Sequence, residues 1–242
     1  MKNSIEVINL SKSYKTKKAV NNISFKIDEN EIVGLLGPNG CGKTTTIGMI
    51  LGLLKPTSGQ VLINGKNIEN NKISILHKMN FISPYIELPK KLTVKQNLIV
   101  YGKLYNIKNL NERINFLSEK LRLGDLLDKI TGELSSGQKN RVSLAKALIN
   151  DPTVLLLDEP TAALDPETAD FIRTFLEKYK EEKKISVLLA SHNMDEVKRL
   201  CNSVMMMKDG NIVDSGTPED LIKKYGQKNL EEVFLEIVRK DK

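Results

Sequence analysis

The run EIVGLLGPNGCGKTT occupies Glu31 to Thr45. Its first part, EIVGLLG, is almost wholly apolar and reads as a buried strand that runs straight into a glycine-rich turn. TTTIGMILGLL, which follows from Thr44, reads as a helix. The turn itself fits G-x-x-x-x-G-K-[ST] from Gly37 to Thr44, and a strand before it with a helix behind it is the setting that gives this spacing meaning. Glycines let successive backbone N–H groups turn inward around phosphate oxygens, and the helix behind them adds its positive end. The candidate phosphate contacts are therefore Gly37, Pro38, Asn39, Gly40, Cys41, Gly42, Lys43, Thr44 and Thr45. Lys43 can reach the β- and γ-phosphates of a nucleotide, and the Thr44 hydroxyl can ligate Mg²⁺.

A phosphate loop of this kind needs a second metal-side residue at the end of another core strand. TVLLLDE supplies it: Asp158 ends an apolar run and can hold Mg²⁺, directly or through water. Glu159 follows and can orient and activate an attacking water. His192 ends a third apolar run, KISVLLASH, which would deliver it to the same carboxyl edge of a sheet. His77, in ILHKMN, has no such placement and reads as structural.

Further out, IEVINL and NNISFKID read as strands joined by a polar link at residues 11–18. SGQVLINGKNI and SVMMMKDGNIVDSG alternate around Asn64-Gly65 and Asp209-Gly210, both hairpin turns. Between Thr93 and Asn150 the period becomes helical. Thr93 and Gln96 fit a capping box, and Ile114, Leu117 and Leu121 share one face. LSSGQ, Leu134 to Gln138, opens the last helix of this block, with Ser135 or Ser136 as its N-cap. Strands alternating with helices predict a parallel sheet. The tail NLEEVFLEIVRK spaces Leu230, Val233, Phe234, Ile237 and Val238 for a helix packed on its own domain.

The bulk composition is that of an ordinary globular chain. In 242 residues, 40% are hydrophobic and 28% charged, which excludes disordered and collagen-like classes. The net charge of +7 is dispersed and reads as a lysine-rich surface. Two cysteines far apart, Cys41 and Cys201, make no disulfide framework and suit a reducing compartment. The opening MKNSIEVINLSKSYKTKK has no apolar core, so a secretory signal is not expected there. No run approaches the ~18 apolar residues of a membrane helix.

As a set and in this order, GPNGCGKTT, LSSGQ, LLLDEPTAALD and ASH resemble the ATP-binding subunit of an ABC transporter, from about Ile5 to Leu221. The resemblance implies an α/β fold: a P-loop NTPase with a RecA-like parallel core, an antiparallel β subdomain and a helical signature subdomain. The expected division is 1–90 and 151–220 for the nucleotide-binding core with its β layer, 91–150 for the helical subdomain, and 221–242 for a helical tail. The cofactors are ATP and Mg²⁺. Tyr14 would stack on adenine, and His192 would contact the γ-phosphate. Ala163, Leu164 and Asp165 would sense an opposing subunit. Two such subunits, identical or paralogous, would pair head to tail, so that Ser135, Gly137 and Gln138 of one close over the γ-phosphate held by the other.

The same resemblance implies hydrolysis coupled to a separate transmembrane permease, with the chain on the cytoplasmic side at the inner face of the cell membrane. No nucleic-acid partner is expected. The pattern departs at one place. The glutamine that usually joins the metal falls at Pro84, after Ser83, so water or the Ser83 hydroxyl would complete the Mg²⁺ shell, water being favoured. Tyr85 and Leu88 would then touch the permease. The stretch SPYIELP and the tail NLEEVFLEI resemble exporter-type members. The alternatives are a soluble ABC-class ATPase acting on nucleic acid or in protein assembly, and a P-loop kinase. The absence of a coiled-coil insertion argues against the nucleic-acid role, and the LSSGQ helix end against the kinase.

Overall fold

A computed structural model describes residues 3–15, 17–83 and 86–239. The chain begins with β1 (Asn3–Tyr14), β2 (Lys17–Asp28) and β3 (Ile32–Leu36), then α1 (Lys43–Ile50). β4 (Ser58–Ile63), β5 (Lys66–Asn67), α2 (Lys72–Leu76) and β6 (Met79–Ile82) follow. The helical block holds α3 (Val94–Leu104), α4 (Leu110–Lys120) and α5 (Ser136–Leu148). Strands and helices then alternate through β7 (Val154–Asp158), α6 (Pro166–Lys183), β8 (Ser186–Ala190) and α7 (Met194–Leu200). The last elements are β9 (Ser203–Lys208), β10 (Asn211–Gly216), α8 (Pro218–Tyr225) and α9 (Leu230–Arg239).

Two sheets result, one in the order β2-β1-β4-β5 and one in the order β10-β9-β3-β8-β7-β6. In the larger sheet β6, β7, β8, β3 and β9 pair in parallel, and β10 turns back antiparallel on β9. The first sheet is antiparallel throughout. Side chains alternate between the two faces of the parallel sheet, as a period of two requires. Leu155 and Leu157 of β7 enter one apolar cluster with the helical block, whereas Val154 and Leu156 enter the other with α1 and the antiparallel sheet. Both faces are covered, which is why these strands read as continuous apolar runs rather than alternating ones.

Two local expectations differ from the structure. The supposed link at residues 11–18 is mostly strand: Lys12 pairs with Val20, Ser13 with Lys18 and Tyr14 with Lys17. The end of this hairpin runs into solvent, so its residues are polar although their backbone is paired. The helix after the glycine loop stops at Ile50 because Gly52, at φ 64°, takes the left-handed conformation that ends a helix.

Other features follow the sequence. Thr93 caps α3 in a reciprocal box with Gln96. Ile114, Leu117 and Leu121 are buried together. The imidazole of His77 meets the Tyr105 ring edge-on at 6.0 Å. Leu230, Val233 and Ile237 of α9 enter the same core as the helical block. No helix among the described residues is long and apolar enough to cross a membrane.

Candidate nucleotide site

Parallel pairing brings several strand ends to one edge. Leu35 and Asp158 both register with Ala190, so the glycine loop after β3 and the turns after β7 and β8 emerge side by side. Between them lies an open cavity of about 720 Å³. Its walls carry Gly37, Pro38, Asn39, Gly40, Gly42, Lys43, Thr44 and Thr45 from the loop, and Asp158, Glu159 and His192 from the other two turns. Tyr14 and Ala19, from the ends of β1 and β2, close one side.

The loop is tight for a physical reason. Gly42 has φ 116°, and a side chain there would run into the Ala19 carbonyl. The Lys43 ammonium lies along the loop and donates to the carbonyls of Gly37 at 2.6 Å and Pro38 at 3.2 Å. Opposite, Glu159 Oε1 stands 2.7 Å from His192 Nδ1, and the His192 backbone N–H donates to Glu159 Oε2 at 3.4 Å. Glu159 adopts φ 51°, and its own N–H donates to the Ala190 carbonyl at 2.8 Å. The turn therefore holds this carboxylate and the imidazole as a pair.

Asp158 is buried, and burial raises its carboxyl above the usual range. The neighbouring Glu159 charge adds to this, and Lys43 and a Ser83 hydroxyl hydrogen bond oppose it. Ser83 thus reaches the carboxylate expected to serve the metal. Pro84 and Tyr85 lie outside the described residues. Leu88, expected to face a partner, is buried; among the described residues of that segment Ile86 is an exposed apolar side chain.

The Cys41 side chain turns away from the cavity. Its sulfur is buried beneath the loop, where a Cβ on Gly37 would strike it, and it does not line the cavity. Burial pushes its thiol up, outweighing the Lys43 charge. Maleimide labelling of Cys41 is therefore expected to be slow with or without Mg-ATP and to become fast only in denaturant. Rapid labelling of the native chain, slowed by ATP, would put the sulfur back among the phosphates.

The helix end at LSSGQ lies outside this cavity. Ser135 is the N-cap of α5: its Oγ accepts from the Gln138 N–H at 3.3 Å, and Gln138 Oε1 accepts from the Ser135 N–H at 3.0 Å. The Gln138 amide oxygen is thus engaged within its own chain in a capping box, which leaves the amide NH2 as the group that could donate to a phosphate. The Ser135 hydroxyl proton stays available, and a capping box leaves the N–H groups of Ser136 and Gly137 without partners inside the helix. Asp165 likewise caps α6, accepting from the Thr168 N–H at 2.9 Å.

One residue of this region gives no signal in the sequence. Glu196, on α7, is buried and accepts from the Thr161 hydroxyl at 2.7 Å and the Ser191 hydroxyl at 2.6 Å. It ties the turn carrying Glu159 to the turn carrying His192. In the sequence it is one acidic residue in a helix, with nothing to mark its burial.

The class these features define is a P-loop nucleotide-binding α/β domain with an added antiparallel sheet and helical block. The chain belongs to the ABC transporter family as an ATP-binding cassette, an ATPase: that family matches residues 20–162. A family described as "AAA domain, putative AbiEii toxin, Type IV TA system" also matches residues 131–197.

Among relatives, the chain is 34% identical to the ABC transporter ATP-binding protein NatA of Bacillus subtilis, covering 91% of each. It is 35% identical to the choline transport ATP-binding protein OpuBA of the same organism, over 93% of this chain but 60% of that protein's length. It is also 35% identical to the Nod factor export ATP-binding protein I of Burkholderia lata, over 90% of this chain and 72% of that one. A solved ATP-binding subunit of an ABC transporter superposes with a TM-score of 0.88 at 27% identity, covering 96% of this chain and 98% of that one. A dimeric cassette in a post-hydrolysis state bound to ADP and Pi superposes with a TM-score of 0.80 at 27% identity, over 88% and 98%.

Proposed function

We propose that this chain hydrolyses Mg-ATP at a site completed by a second cassette, and so drives export through a separate membrane permease. The observation that carries the reading is a division of labour. One cavity holds the phosphate loop and the Glu159–His192 pair, while Ser135 at the start of α5 is not among the residues that line it. A phosphate-binding helix end with no phosphate site of its own suits a second copy's nucleotide. Its N–H groups and positive end would meet the γ-phosphate from the side that the loop leaves open.

The donors in the cavity suit Mg²⁺, a hard cation that takes oxygen ligands and retains waters. Thr44 and Asp158 would hold it, with the Ser83 hydroxyl bracing Asp158. When bound, the ion neutralises charge on the β- and γ-phosphates. Lys43 would bind the same oxygens. Tyr14, half exposed at the cavity rim, is proposed to stack on adenine. Glu159 would take a proton from the attacking water. His192, hydrogen-bonded to Glu159, would be kept within reach of the γ-phosphate.

A permease partner is supported by apolar side chains left in solvent on the helical block. Val100 and Leu104, one turn apart on α3, are exposed, as is Ile86 just ahead of the block. Export is inferred from the SPYIELP stretch and the tail, which resemble exporter-type members; one relative is named for export. Affinity capture of the chain from detergent-solubilised membranes tests the reading. A polytopic membrane protein should co-purify in amounts comparable to the cassette. Capture of nucleic acid, with no membrane protein, would favour the soluble alternative instead.

A further inference from the structure

The nucleotide cavity has one wall that the site described above does not use. Phe234, on the C-terminal helix, lines the same cavity as the glycine loop and His192. The helix is fixed independently of this ring. Leu230, Val233 and Ile237 are buried, and the Lys208 ammonium at the end of β9 donates to the Ile237 carbonyl at 3.0 Å. α9 packs on both β9 and α7, and α7 starts two residues after His192. Phe234 lies one turn before Ile237 and lines the cavity from the opposite end of the chain to Tyr14. It is only partly covered by the core behind it.

We propose that Phe234 is a binding residue of the nucleotide site. The ring forms an apolar wall of the cavity, is buried further when ATP fills it, and thereby ties α9 to the loaded state. The physical reason is asymmetric exposure. An apolar ring at the rim of a charged cavity leaves part of its surface in water, and that surface is removed when a ligand closes the space. Its neighbour Leu235 faces the other way, into a surface groove with Glu232, Glu236 and Arg239. The helix thus presents one face to the nucleotide and another to solvent. This inference rests on the nucleotide reading of the cavity.

The chain contains no tryptophan, so a single substituted indole is the only one that emits. Mg-ATP should move the emission of the Phe234→Trp chain to shorter wavelength with the concentration dependence of ATP binding, and should leave the Leu235→Trp chain unchanged. A folded Phe234→Trp chain that has lost ATP binding would likewise put the larger ring in the cavity. Phe234→Ala should raise the ATP concentration for half-maximal turnover about fivefold, as loss of part of an aromatic burial implies, with kcat nearly unchanged. Phe234→Leu should return it to within about twofold. Unchanged emission in a Phe234→Trp chain that still hydrolyses ATP overturns the inference. So does a Phe234→Ala chain whose thermal midpoint falls while its ATP dependence stays normal. Binding of a fluorescent ATP analogue to the unaltered chain is measured first, because its failure would count against the nucleotide site itself.

Discussion

Glu159→Gln is expected to lower ATP turnover by about 10²- to 10⁴-fold, the range lost when a positioned base is removed, while ATP still binds. The substitution keeps the size of the side chain and its place beside His192, now 2.7 Å from Nδ1. It removes only the ability to take a proton from water. Glutamine also suits the left-handed turn at φ 51° no worse than glutamate does, so the fold of the turn should survive. With chemistry blocked and binding intact, the ATP-loaded state should accumulate. In sedimentation with Mg-ATP the Glu159→Gln chain should run as a dimer, held by nucleotide between one chain's glycine loop and the other's Ser135 helix end. A strict monomer at saturating ATP would contradict a site shared between two copies.

Lys43→Ala is expected to weaken ATP binding by roughly 10²- to 10⁴-fold. Two charge-assisted contacts to phosphate oxygens are lost, each worth about 1.5–3 kcal/mol, and every 1.4 kcal/mol is about tenfold. Equilibrium titration with a fluorescent ATP analogue measures this directly. Ser135→Ala provides the contrast. Ser135 lies outside the cavity of its own chain, so the isolated monomer should bind ATP as before while turnover falls. The same substitution removes a helix cap worth about 1 kcal/mol, so its thermal midpoint is compared with that of Thr93→Ala, which removes the cap of α3 away from the nucleotide. Equal loss of ATP affinity in the Lys43→Ala and Ser135→Ala monomers would show that both residues act on the same chain's nucleotide.

The glycine loop was legible because its information is local. Gly37 to Thr44 lie within one turn, and their spacing alone sets where backbone N–H groups and the Lys43 ammonium point. Asp158, Glu159 and His192 were legible for a different reason: each ends an apolar run, and parallel strands deliver such ends to one edge. For Cys41 the sequence gives a place in the loop but does not say which way its side chain turns. The close approach of the loop to Met207 and the burial under Gly37 decide that. Glu196 was missed because its partners, Thr161 and Ser191, come from two different turns and meet only in the folded chain. The capping role of Gln138 was equally local, since it lies three residues after Ser135.

The sequence by itself determined the class of the fold and pointed to the residues that line the candidate cavity, since strand-loop-helix order and strand-end carboxylates are read along the chain. The tertiary structure decided which groups face the cavity and which are spent elsewhere. It turned the Cys41 sulfur inward, set Glu159 against His192, joined their turns through Glu196, and brought Phe234 from the far end of the chain to the cavity wall. The physical reason is that a side chain's direction and burial depend on what packs against it. Those neighbours are distant in sequence, and no local pattern records them.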